Sequence, residues 1–306
     1  MVTCRYVCYA ILSLVLSITT SAVAQELTTV KGNPVAVAEE VYLLTGLSCN
    51  VVAVNGSDGV LLIDNGSTGD AEYLEKAIEG LGYGRAKIAI NTHHHFDHIG
   101  NNELLSKGGA VIVAHKNARE SMLSEWKVPD NPLGTTFPVM PPYPEVALPS
   151  VTFADSLTVH FGGHGLQIYH FPSAHTVADA VVFLRDVNVI ITGDLYISNG
   201  FPLVDSFHGG TIDGSIAAVD HLIALIDGDT HVVPGHGPLS NRRELCEYRD
   251  LLSTARDRIA AMIDAGKSLE ETVAADPTAG LYSRGESWLS PDLFVWTVYE
   301  DLIRRR

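Results

Sequence analysis

Between positions 93 and 98 the chain reads HHHFDH, four histidines and an aspartate in six residues. An isolated histidine is most often a hydrogen-bonded surface or core residue, and that reading suffices for most of the thirteen here. This cluster is different in kind. It follows the apolar strand-like run "IAI" and the pair Asn91-Thr92, so it occupies a loop at a strand end, where alternate side chains aim inward. His93 and His95 can then grip one ion while Asp97 and His98 reach a second. Neutral imidazole and carboxylate suit zinc, whereas an all-oxygen set would suit calcium or magnesium. His94, between two ligands, is turned away by the same alternation.

One loop does not complete two such sites, so the fold must bring further ligands from a distance. Three segments offer them: "PSAHTVADAVVF" presents His175 before a strand-like run, "VIITGDLY" presents Asp194 after one, and "HVVPGHGP" presents His236 in a Gly-rich turn. Each lies where strand ends gather at one rim of a sheet. Apolar runs at Val41–Leu44, Asn50–Val54, Val60–Ile63, Ile88–Ile90 and Val111–Ala114 predict strands, with "VNGSDGV" closing a hairpin. Leu74, Ala77, Ile78 and Leu81 have the spacing of a helix over 70–80. Strand signals return at Leu157–His160, Gln167–His170, Ala180–Leu184, Val189–Ile191 and His231–Val233, with helices expected over 213–225, 242–265 and 291–302. Two strand-rich stretches, each followed by helices, predict an α/β fold with sheets packed in the middle and helices outside. The proline-rich stretch 128–150 reads as an ordered surface loop or lid.

The first residues carry one early cation, Arg5, an apolar run over 10–18 and the small triplet Ala22-Val23-Ala24, the pattern of a secretory signal peptide cut after Ala24. The apolar run is too short to span a bilayer. Residues 25–306 are then expected to form a single periplasmic or secreted domain with no membrane attachment. The formal charge of −16 argues against nucleic acid and anionic membranes as partners. Cys4 and Cys8 leave with the signal, and a disulfide between Cys49 and Cys246 stays open.

The ordered H-x-H-x-D-H, later His, Gly-Asp and Gly-His-Gly elements, spread from about Val41 to Pro238, resemble the metallo-β-lactamase superfamily. The resemblance implies an αββα sandwich with two zinc ions at the sheet edges. Carried over, it implies His93, His95 and His175 at the first ion, Asp97, His98 and His236 at the second, and Asp194 bridging both. Paired cations lower the pKa of a shared water and polarise a carbonyl, and Asp97 is placed to orient the nucleophile and assist proton transfer to the leaving group.

The loop from Tyr196 to Thr211 follows Asp194, making Tyr196 and His208 candidate substrate-pocket residues. Asp64 is expected to support its strand end, and Asp179 to orient an imidazole. The substrate is a small molecule. Aspartate at 194 resembles the thioesterase and lactonase branches, of the glyoxalase II type among others, and no lysine or arginine lies between Arg185 and Arg242 to hold a carboxylate. Export favours β-lactam hydrolysis, the leading specific expectation, with lactone, ester or thioester hydrolysis close behind. A mononuclear-iron persulfide dioxygenase and a non-catalytic metal-binding protein are the readings from other classes.

Overall fold

The computed structural model describes residue 31 and residues 33–57, 59–281 and 289–306; the expected signal segment, 1–24, lies outside them. The described part opens with an antiparallel meander, β1 (Pro34–Ala38), β2 (Val41–Leu44), β3 (Val51–Gly56) and β4 (Gly59–Ile63). Helix α1 (Ala71–Leu81) crosses over to β5 (Ala86–Ile90), which lies parallel to β4. The loop after β5 leads into α2 (Phe96–Ile99) and α3 (Asn102–Lys107) before β6 (Val111–His115), α4 (Lys116–Met122) and β7 (Val151–Phe153). These seven strands form one sheet in chain order.

The second sheet contains β8 (Ser156–Phe161), β9 (His164–His170), β10 (Ala180–Leu184), β11 (Val189–Ile191) and β12 (His231–Val233), and its spatial order is the reverse of chain order. Of its described neighbours only β11 and β12 are parallel, and the crossover between them carries α5 (Ile212–Leu225). Helices α6 (Arg242–Asp264), α7 (Leu269–Ala274) and α8 (Pro291–Arg304) follow.

Two-residue periodicity explains the layering. Val52, Val54, Leu61 and Ile63 face Ile168, Val182, Ile191 and Val233 of the other sheet. The intervening Val51, Ala53, Val60 and Leu62 face outward beneath Leu74, Ala77 and Ile78 of α1. On the far side Val181, Phe183, Ile190 and Val232 pack under α5, α6 and α8 through Leu222, Leu252 and Phe294. Strands buried on both faces read as continuous apolar runs, and each fully buried Leu or Ile contributes about 1.5–3 kcal/mol. The result is the αββα sandwich the resemblance implied.

The stretch 128–150 is irregular apart from a short turn of 3-10 helix at Glu145–Ala147. It is pinned by a bridge in which the Trp126 and Met140 backbones exchange hydrogen bonds of 2.9 and 3.0 Å. Cys49 and Cys246 are both free, which closes the disulfide question. Four strand ends, those of β4, β5, β11 and β12, lead straight into Asp64, the His93–His98 loop, Asp194 and His236. The strand ends of the two sheets thus assemble one site.

Candidate metal centre

His93, His95, His175 and Asp194 converge, all buried, with one donor atom from each lying within 4.8 Å of the others. The hydrogen bonds behind the rings decide which nitrogen faces inward. His95 donates Nε2–H to Asp205 Oδ2 at 2.8 Å, and His175 donates Nδ1–H to the Leu203 carbonyl at 2.7 Å. Their remaining nitrogens, His95 Nδ1 and His175 Nε2, therefore carry lone pairs, and these face each other at 3.0 Å. Thr92 Oγ1 donates to Asp64 Oδ2, so it accepts from His93 Nδ1 at 3.0 Å, and His93 Nε2 is left buried with no hydrogen-bond partner among the described residues. Opposed lone pairs with no proton between them are what a shared cation resolves.

A second group, Asp97, His98 and His236, stands alongside. His98 gives Nδ1–H to Asp64 Oδ2 at 2.8 Å and turns Nε2 toward His236 Nε2 at 3.3 Å. His236 Nε2 also lies 3.3 Å from Asp97 Oδ2. Asp194 sits between the groups: its Oδ1 is 3.1 Å from His98 Nε2, and its Oδ2 is 3.4 Å from His236 Nε2 and 3.7 Å from His175 Nε2. The residues named by the resemblance are thus brought into two adjacent sets with Asp194 common to both.

The electrostatics differ between the sets. Burial, reinforced by His98 and His95, drives His93 well below the usual imidazole range, and burial with His95 brings His175 down to about 4. Those rings stay neutral, as a metal requires. Burial opposes charge on His236 too, but Asp194 and then Asp97 outweigh it and raise it to about 9. Burial likewise opposes the Asp194 carboxylate, while His236 and His98 hold it well below the usual range. Against its burial, the surrounding carboxylates likewise raise His98, so in the protein alone the second set favours positive charge on its imidazoles beside Asp194 and Asp97, a task a divalent ion would take over. Imidazole and carboxylate donors fit zinc in both sets, and the bonds behind the rings fix the tautomers of His93, His95, His175 and His98.

The neighbouring residues fall differently from some sequence expectations. Asp64 supports its strand end by accepting Thr92 N–H at 2.8 Å, and it also fixes His98. The Asp179 carboxylate orients no ligand imidazole: it takes the Thr176 N–H and hydroxyl at 2.8 and 2.6 Å and braces the turn after His175, while the Asp179 backbone carbonyl accepts from His170 Nδ1 at 2.9 Å. Asp205 does that job for His95, a role no local pattern in "FPLVDSF" signals. Tyr196 is corrected from pocket to core; its ring packs edge-on against Tyr248 and its hydroxyl meets Ser240 Oγ at 2.8 Å. His208 bonds Asp205 at 2.8 Å behind the site and does not line the cavity. His94 lies outside both ligand sets, beside Asp205, with neither ring nitrogen hydrogen-bonded among the described residues. Gly235 approaches Asp194 so closely that a Cβ would stand 2.9 Å from the Asp194 nitrogen.

A cavity of about 390 Å³ opens onto the two sets. Leu47, Phe96, Trp126, Phe137, Pro138 and Leu203 supply apolar wall, and Ser48, Asn50 and Asn199 supply neutral polar groups. Among the described residues, no lysine or arginine lines it. Lys107 pairs with Glu103, and Arg119 with Glu145 and the Pro149 carbonyl, away from the site.

Known proteins resemble this chain in sequence and fold. The metallo-beta-lactamase type 2 of Bacillus cereus is 26% identical over 206 residues, 66% of this chain and 72% of that protein. The hydroxyacylglutathione hydrolase GloC of Haemophilus influenzae is 26% identical over 177 residues, 58% of this chain and 79% of that protein. Among solved structures, a metallo-beta-lactamase family protein from Thermus thermophilus superposes with TM-score 0.66 at 19% identity, covering 88% of this chain and 95% of that one. A sec-alkylsulfatase from Pseudomonas sp. gives TM-score 0.63 at 18% identity over 88% of this chain, which spans 50% of the sulfatase. The family profile described as metallo-beta-lactamase superfamily matches residues 44–236, a span running from β2 to the last of the converging histidines. With sandwich, ligand order and profile in agreement, the chain belongs to the metallo-β-lactamase superfamily of metal-dependent hydrolases.

Proposed function

We propose that the chain is an exported binuclear zinc hydrolase that cleaves an uncharged ester, thioester or lactone. The observation carrying this reading is the cavity, which is apolar around two histidine-carboxylate sets and has no lysine or arginine among the described residues of its lining. Two bound zinc ions would supply an activated water and a Lewis acid for the carbonyl. The chain's own residues do the rest. Asp194 ties the two ligand sets together, and Asp64 and Asp205 hold His98 and His95 in the required tautomers. Asp97, with a side chain 19% exposed against 5% for Asp194, opens furthest into the cavity and is placed to hold a proton for the leaving group. Phe96, Trp126 and Phe137 exclude water from the acyl side. Export is supported by the N-terminal Arg5, apolar run and Ala-Val-Ala sequence.

A second reading, β-lactam hydrolysis, is favoured by the Bacillus cereus relative. It requires the substrate carboxylate to be held without a cationic side chain. Mature protein, confirmed to hold two zinc ions, is assayed with neutral chromogenic esters, thioesters and lactones and with a chromogenic cephalosporin, each with and without chelator. Chelator-sensitive turnover of a neutral substrate, lost together with metal in His95→Ala, is expected. Turnover of the cephalosporin alone moves the assignment to β-lactams. Zinc-independent activity, or an iron-containing protein consuming oxygen with a persulfide, overturns the hydrolase reading.

A further inference from the structure

We propose that Trp126 is a positioning residue that couples the wall of the substrate cavity to the first metal position, acting through Asp205 on His95. The inference rests on the metal-centre reading above and adds a residue that no ligand pattern identifies. Trp126 lines the cavity beside Phe96, Phe137 and Leu203. Its indole Nε1–H donates to Asp205 Oδ2 at 3.1 Å, the same oxygen that takes Nε2–H of His95 at 2.8 Å. Asp205 is fully buried and also accepts from His208 Nδ1 at 2.8 Å, so three side-chain donors fix its carboxylate plane. The His208 ring in turn stacks on Trp126, 5.5 Å between centroids and 23° between planes.

The other end of the link is the loop over the cavity. The Trp126 backbone is bridged to Met140, and the segment between them carries Phe137 and Pro138 to the cavity wall. One indole therefore meets the substrate space with its ring and the buried carboxylate with its N–H. Removing that N–H leaves Asp205 two side-chain donors and loosens the group that sets the His95 tautomer. Groups behind metal ligands typically change metal affinity about 10–100-fold. Trp126 stands one step further back, so about tenfold is expected at the first site.

Zinc titration by chelator competition, with the cobalt-substituted protein's visible spectrum as a second readout, tests this in Trp126→Phe, Asp205→Asn and the double variant. The first zinc should bind about tenfold more weakly in Trp126→Phe with the second little changed, and the cobalt band should shift. The double variant should be no worse than Asp205→Asn alone, because both act through one carboxylate. Phe137→Ala, which alters the wall without touching Asp205, should raise KM for an apolar substrate and leave zinc affinity as in the parent. First-site affinity within twofold of the parent, or losses that add in the double variant, overturns the proposal. If Trp126→Phe does not fold, benzothienylalanine at 126 keeps the ring outline, removes only the N–H, and answers the same question. A parent protein that binds no pair of zinc ions would instead refute the metal-centre reading itself.

Discussion

Replacing Gly235 by alanine sets the turn after β12 against the bridging carboxylate. The Gly235 N–H is shared by the carbonyls of Gly193 and Tyr196, at 2.9 and 3.0 Å, so the turn cannot slide away. An added Cβ would overlap Asp194 Oδ1 and stand 2.7 Å from the Gly193 carbonyl carbon and 2.9 Å from the Asp194 nitrogen. Carbon contacts are comfortable at about 3.5–4.0 Å, so roughly 1 Å must come from moving Asp194 or the turn. Forcing a side chain off its rotamer costs about 0.5–1.5 kcal/mol, and overpacking adds about 1–3. A loss of about 2–4 kcal/mol is therefore expected, which lowers Tm by about 5–15 °C in a domain of this size. Because the displaced carboxylate is common to both ligand sets, its Oδ1 lying against His98 and its Oδ2 against His236 and His175, the variant should also retain fewer than two zinc ions after dialysis. Thermal unfolding and elemental analysis of the same sample measure the two effects. A Gly235→Ala protein with unchanged Tm and two tightly held ions would refute the claim that this glycine makes room for Asp194.

The remaining predictions concern single residues whose partners are known. Asp64→Asn keeps the shape, but the three groups bonded to its carboxylate, Thr92 N, Thr92 Oγ1 and His98 Nδ1, all donate. The amide NH₂ must face one of them, so zinc affinity at the second site should fall about 10–100-fold; parent-like affinity would count against Asp64 as the group orienting His98. Asp70 is salt-bridged to Lys31 at 2.8 Å and accepts the Ser48 and Ser67 N–H groups at 3.0 Å. Burial opposes its charge, but these bonds lower its pKa to about 2. A depressed folded-state pKa stabilises above the unfolded value near 4, and the benefit disappears as pH falls through about 2. Asp70→Asn should therefore cost about 1–2 kcal/mol at pH 7, allowing for the exposure of Lys31, with the gap closing near pH 2; urea unfolding at both pH values would expose a gap that persists in acid. Gly80→Ala in α1, where an added Cβ meets none of the described residues within 4 Å, should stabilise by about 0.5–1 kcal/mol in the same assay.

Strands β10 and β11 coincide with their sequence expectations because each is an apolar run bounded by turn residues and buried throughout, and β12 coincides through its buried Val232 and Val233, with His231 exposed at its start. Strand β1 carries no such signal: it is a half-buried edge strand with no alternation to betray it. Helix α7 is six residues long, too short to show a period, and is announced only by its Ser268–Glu271 capping box. Tyr196 illustrates a different limit. A tyrosine near a ligand is equally suited to a pocket or a core, and only the approach of Tyr248 and Ser240 decides between them.

By itself the sequence determined the chemistry on offer and the layering: histidines and aspartates at strand ends, and apolar runs that demand cover on both faces. Those are properties of residue type and local periodicity, legible without knowing what lies opposite. Only the tertiary structure decided how the ligands are held. His95 and Asp205 are 110 residues apart, and Trp126 and Asp205 are 79 apart, yet their hydrogen bonds set a ring tautomer and join it to the cavity wall. A lone pair's direction depends on the donors and acceptors that folding brings behind the ring, and no local pattern carries that information.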